Sequence, residues 1–419
     1  VRRRWSLPVV VVLVAGLLAA GVPVRDRLLA ERQRTGVRGV ELDKLPPLGA
    51  AGVLLLGGFR GVAVYLLWHQ VIALHQQRQY EEERTFIELI ARLQPYCISV
   101  WVFQAWNIAY NISVQYPDAA DQWQWVRNGI DFLKEGLRLN AESGDIHFYL
   151  AVLHRDKVSQ NPYFEDAMER DLGVNNFEEA ARYFDRARHL GGVQTFHPRV
   201  VDSGVFHAWL SRVQQILRRG ELTATLDFTP ETLAAAQPFI RKAREESEGL
   251  QTRWPKDAAF EMFPARVDVV LADGYVAHVN RVLTEGDFSE TSIVLARQLV
   301  DKALAELDRH YPKYKGTRSE LVFTNKTSDA CSRIPWALVR AAGEMMQKPF
   351  AGPDEWRRAR GLVTLAEREI NRLPEPLQQC RDVQALRGML SQWLKMVTEL
   401  IEKHGRSRGN APDTSSGEE

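Results

Sequence analysis

Ile90-Ala91-Arg92-Leu93-Gln94-Pro95 is followed six residues later by Trp101, and then by Ala105 and Ile108. Apolar residues at three- and four-residue spacing on both sides of Gln94-Pro95 predict a helix that stops before the proline and a second that starts near Ile98. Gly136-Leu137-Arg138-Leu139-Asn140-Ala141 stands in the same relation to His147, Leu150 and Ala151. Downstream, Ala180, Phe184 and Ala187, and again Ala296, Val300 and Ala303, form a ladder of small, large and small residues. Small residues where two helices cross let the backbones approach, and the large one fills the groove between neighbouring pairs.

Working outward, helical periodicity continues from about Arg60 almost to the C-terminus, and alternating strand-like runs are scarce. Helices are predicted at about 60–77, 80–93, 98–113, 121–139, 144–158, 177–189, 200–219, 230–249, 258–284, 289–310, 335–347, 353–372 and 378–403. Tyr116-Pro117, Gly191-Gly192, Trp254-Pro255, Gly286-Asp287 and Leu373-Pro374 separate them as poor helix continuers. Lys313 to Pro335, around Thr324-Asn325-Lys326, reads as the longest loop, and the Gly/Ser/Pro/acidic tail from Gly405 to Glu419 reads as disordered. The fold class is all-α.

This pairing resembles the tetratricopeptide repeat family. The resemblance covers about Arg60 to Gly192 and thins beyond, where single helices match. It departs from a strict period: taking Ile90, Gly136 and Ala187 as equivalent positions, the intervals are 46 and 51 residues. The resemblance implies an α-solenoid of antiparallel helix pairs in which Trp101 takes a packing position. It also implies a peptide groove lined by Val102, Trp106, Ala109 and Tyr110 in one repeat and by Phe148, Val152 and Arg155 in the next. The Lys and Asn with which chaperone-binding members clamp a C-terminal carboxylate are replaced here by Val102, Trp106, Phe148 and Val152. The groove is therefore expected to hold an apolar or aromatic segment of a protein partner.

Composition narrows the function. With 54 Lys+Arg against 53 Asp+Glu, no net field draws the chain to nucleic acid. Cys97, Cys331 and Cys380 are too few and too scattered for a disulfide scaffold or a cysteine-rich metal site. The sequence has no phosphate-cradling glycine loop, no His-Glu-x-x-His, no Cys-x-x-Cys and no Gly-x-Ser-x-Gly. His147 and His154 lie seven apart, whereas chelation from one helix favours a spacing of about four. Glu81-Glu82-Glu83 reads as negative charge complementing a helix N-terminus. Asn107 and Asn111, one helical turn apart, suit interhelical hydrogen bonding or an extended peptide backbone. No catalytic residue, cofactor or metal is assigned.

Reading Val1 as a start codon rendered literally, Arg2-Arg3-Arg4 precede an uncharged run from Val9 to Val24 that is long enough to cross a hydrocarbon core of about 30 Å. The arginines hold that end in the cytoplasm. The expected layout is a transmembrane anchor or uncleaved signal over 1–24, a linker with an apolar segment over 25–59, tetratricopeptide-like repeats over 60–192, divergent helical repeats over 193–404 and a tail over 405–419. A second apolar stretch, Leu48 to Leu74, contains Arg60, which disfavours spanning. The expectation is a single-pass inner-membrane protein, its bulk periplasmic, acting as a scaffold or adaptor for protein partners in an envelope assembly. The alternatives are an accessory subunit of a transporter or secretion complex with two spanning helices, and an envelope enzyme with its site in the C-terminal half. On the first reading, alkaline phosphatase fused to the C-terminus is active in a Gram-negative host and green fluorescent protein fused there stays dark. The opposite pair of results contradicts the topology.

Overall fold

The computed structural model describes residues 60–194, 196–217, 229–347 and 352–409. Over these residues the protein is all-α, without a strand. The expected anchor over Val9–Val24, the Leu48–Phe59 part of the Leu48–Leu74 stretch and the tail beyond 409 lie outside the described residues. Among the described residues no helix is long and apolar enough to cross a membrane.

Two compact units divide the chain after Ile146. The first contains α1 (Arg60–Gln76), α2 (Tyr80–Leu93), α3 (Ile98–Trp106) and α4 (Ala119–Leu139). α3 does not stop at Trp106: it widens into a π turn, Asn107–Ile112, and tightens into a 3-10 turn, Ser113–Gln115, before Pro117. α1 packs on α2 and α3 on α4.

Small residues let α3 and α4 touch. A Cβ on Gly129 would lie 2.9 Å from both the Ala105 carbonyl oxygen and the Ala109 Cβ, and one on Gly136 would meet the Trp101 ring at 2.7 Å. Trp101, 1 % exposed, is thus wedged against bare backbone. Its indole N–H donates to the Pro95 carbonyl at 2.9 Å, and the Asn140 amide donates to the same oxygen at 2.8 Å. A turn before the first helix and a cap after the second are in this way tied to one acceptor.

The second unit begins within α5 (Gly144–Val152). This helix repeats the succession seen in α3, with a π turn over Leu153–Lys157 and a 3-10 turn over Val158–Gln160 before Pro162. Next come α6 (Pro162–Leu172), α7 (Asn176–Leu190), α8 (Pro198–Leu217), α9 (Pro230–Arg253), α10 (Phe263–Glu285) and α11 (Glu290–Asp308). The short α12 (Tyr311–Tyr314), α13 (Glu320–Met346), α14 (Pro353–Arg372), the short α15 (Glu375–Gln378) and α16 (Arg381–Gly409) complete it. Consecutive helices pack as pairs, α7 on α8, α8 on α9, α10 on α11 and α13 on α14, while α13 also touches α10, α11 and α16. One apolar core runs from Phe206 to Leu390.

Three expectations are corrected. α6 has no counterpart among the predicted helices, although its signals are local: Asn161 caps Tyr163 N–H at 2.9 Å, Pro162 opens the helix and Gly173 closes it at φ 67°. The loop expected over Lys313–Pro335 is mostly helix, since α13 runs from Glu320 through Pro335. Tertiary contacts hold its polar first turns: Phe323 stacks on Tyr314 at 5.2 Å, Lys326 pairs with Asp273 at 2.7 Å, and Ser328 accepts from the Asp382 N–H at 3.0 Å. α16 continues to Gly409, past Gly405, where the tail was expected to begin.

Buried charge joins α9, α10 and the end of α11. Asp268, 2 % exposed, takes Arg244 and, at 3.1 Å, Arg309 on Oδ1. His310 Nε2 lies 2.8 Å from Oδ2, off the line of a hydrogen bond. Glu306 lies 2.8 Å from Arg309, its carboxyl raised above the ordinary range chiefly by burial.

The two kinds of glycine separate in a stability measurement. Gly129→Ala, which forces a methyl into the α3–α4 contact, is expected to lower stability by about 1–3 kcal/mol. Gly361→Ala, on α14 with nothing within 4 Å of its new Cβ, should raise it by about 0.5–1 kcal/mol. Urea unfolding followed by circular dichroism reads both signs.

Candidate functional site

The outer side of α3 carries an exposed aromatic surface. Its inner face, Trp101, Ala105, Ile108, Ala109 and Ile112, is buried. Phe103 is 62 % exposed and Trp106 38 %, and the Trp106 ring stacks on Tyr110 with centroids 3.9 Å apart at 17°. A π turn inserts an extra residue into the helical ladder and so changes which side chains face out after it, a device often found where a helix carries function. Here it begins between the two stacked rings.

A polar chain runs from the same helix to α2 and α1. Asn111 Nδ2 donates to Asn107 Oδ1 at 3.0 Å, and Asn107 Nδ2 donates to Glu83 Oε1 at 3.3 Å. His75 Nδ1 approaches the Glu83 oxygens at 3.0 and 3.2 Å. Glu83 is 1 % exposed. Burial pushes its carboxyl above the ordinary range, opposed by His75 and Asn107. One carboxyl group thereby links α1, α2 and α3. Glu83 lies in the first turn of α2, as expected, and it is also buried because it shares a face with the buried Ile87, Ile90 and Ala91. Their spacing from Glu83 carries that signal in the sequence. Asn107 makes the interhelical bond.

Of the groove residues expected in this repeat, Trp106 and Tyr110 meet on the surface and Val102 is half-buried. Ala109 is fully buried against Gly129 and offers a ligand no surface. Its small side chain serves the helix crossing.

The residues of the following repeat belong to the second unit. Phe148, 3 % exposed, packs edge-on to Phe184 at 5.6 Å and lies 4.6 Å from Phe196, so it is core. Val152 is half-buried. Arg155 forms a bidentate pair with Asp156 at 2.5 and 2.8 Å, its guanidinium 5.0 Å above the Phe184 ring. His147 and His154 both pack on Tyr183, with centroids at 5.9 and 5.6 Å.

Arg155 also opens onto a cleft of about 370 Å³ shared with Asp156, Ser159, Phe177, His207, Ser211 and Gln214. Apart from Arg155, none of these is found by sequence reasoning, because α5, α7 and α8 bring them together from distant positions. His207 is edge-on to Phe263 at 5.2 Å. Burial, reinforced by the charges of Arg155 and Arg266, lowers its pKa to about 4. At neutral pH the ring is uncharged and can donate through one nitrogen and accept through the other.

No family model and no curated protein matches the chain. Among solved structures, that of the S. pombe nuclear import adaptor Nro1 aligns over 78 % of this chain and 96 % of that one, at 10 % identity and a TM-score of 0.25. A score of that size gives no ground for carrying anything from that protein to this one.

Below the unfolded-state pKa of about 6.5, an unfolded His207 binds a proton that the folded state refuses until about pH 4. Stability is therefore lost as pH falls from 6.5 toward 4, by an amount on the order of 2 kcal/mol for a partly shielded ring. His207→Asn should flatten that part of the profile, as read by urea unfolding at pH 7, 5.5 and 4.5.

Proposed function

We propose that the chain is a scaffold or adaptor built as a divergent tetratricopeptide-like α-solenoid, tethered to a membrane through its N-terminal apolar run with its bulk extracytoplasmic, and that α3 captures a protein partner. The observation that carries the reading is the Trp106–Tyr110 stack at the surface with Phe103 exposed beside it. Interface energy concentrates in large rings that can be desolvated by a partner.

The repeat reading draws support from local structure. Helices pack in consecutive pairs, and α3 and α5 share the succession of α, π and 3-10 turns that ends before a proline. A surface of exposed aromatic side chains suits a partner helix or extended segment with apolar anchors. The tether raises the effective concentration of the scaffold beside other membrane proteins. No chemical reaction belongs to this reading.

The test compares the full chain with a Trp106→Ala/Tyr110→Ala double variant, both purified from mild-detergent extracts, with the co-purifying proteins quantified. Loss of the specific partners by about 30-fold, equivalent to roughly 2 kcal/mol, with an unchanged helical circular-dichroism spectrum, is the expected result. Partners retained at wild-type levels would remove α3 as the docking surface.

A further inference from the structure

α1 is rich in apolar residues, and among the described residues one side of it is packed while another apolar side is exposed. Val64 and Val71 are buried, at 6 % and 5 % exposure. Val62, Tyr65, Leu66 and Ile72 are exposed by 56 %, 61 %, 58 % and 53 %. A helical residue advances about 100°, so these exposed residues fall on one stripe opposite the buried pair. The stripe from Val62 to Ile72 is about 15 Å long, half the thickness of a hydrocarbon core. Exposed His69 lies within it, packed edge-on to Tyr65 at 4.8 Å.

The occupant is indicated by what the stripe lacks. Apart from Arg60, the sequence has no Lys, Arg, Asp or Glu between Lys44 and Arg78. A face that docks a soluble protein carries a polar, charged rim around its apolar centre. Gly61 to Leu74 supplies no charged rim, and the residues just before it, Leu48 to Phe59, are apolar or glycine. Where charge returns, at Arg78 and Glu81-Glu82-Glu83, the exposed apolar stripe has ended.

We infer that the exposed face of α1 contacts the acyl chains of a lipid bilayer, giving the first helical pair a membrane contact of its own, separate from the Val9–Val24 run. This deepens the proposed tethering and rests on it. The aromatic surface of α3 would then be presented close to the bilayer by the same small unit.

The test uses the full chain, with Leu66 replaced by photoreactive benzoylphenylalanine, reconstituted into vesicles of phosphatidylethanolamine and phosphatidylglycerol. A second chain carries the probe at Val294, an exposed apolar position on α11. After flotation and irradiation, mass spectrometry of the floated protein should show a phospholipid adduct at Leu66 and none at Val294. A chain that floats but cross-links from Leu66 to its own N-terminal residues, to a second copy or to no lipid overturns this inference and leaves the tether standing. Equal lipid adducts at both positions overturn it as well. A chain that stays at the bottom of the gradient overturns both.

Discussion

The closeness of α3 to α4 is the constraint from which the first unit follows. Gly129 and Gly136 remove the side chains that would hold the helices apart, and the Trp101 ring occupies the space so created. The indole N–H and the Asn140 amide then share the Pro95 carbonyl, so the turn entering α3 and the end of α4 are set by the same oxygen. An aromatic ring against bare backbone gives a large buried area with little freedom to shift. The rotation of α3 fixed in this way turns Phe103 and Trp106 outward, where the Trp106 ring stacks on Tyr110.

Both units combine such apolar contacts with a buried carboxyl group that gathers several helices. Glu83 joins α1, α2 and α3 through His75 and Asn107, and Asp268 joins α9, α10 and the residues after α11 through Arg244, Arg309 and His310. Removing one partner from such a group leaves charge in a poorly solvated place, which costs more than the pair contributes over a hydrophobic replacement. In the first unit the chain runs on from Glu83 through Asn107 to Asn111, so a change at Glu83 would be felt at both amides.

Much of the architecture is legible in the sequence. α2 falls at Tyr80–Leu93 as expected, and α1, α3, α4 and α14 begin within a few residues of their expected positions, because the apolar spacing and the Gln94-Pro95 and Tyr116-Pro117 breaks act locally. Legibility fails where propensity and tertiary contact disagree. Thr324-Asn325-Lys326-Thr327-Ser328 has poor helical character, yet it is helical because Phe323, Lys326 and Ser328 each find partners on other elements. The candidate surface divides in the same way. Helical spacing suffices to place Trp106 and Tyr110 on one face, whereas separating Ala109 from them requires knowing where α4 lies.

The sequence by itself determined the helical class, the pairing of neighbours and the aromatic content of α3, since periodicity, prolines and small-residue ladders operate over a few turns of one chain. Only the tertiary structure decided that Phe148 is core, that His207 is held neutral in a cleft and that, among the described residues, an apolar face of α1 stays exposed. Each of these depends on which distant elements exclude water from a given side chain. That is a property of packing, and no short-range pattern encodes it.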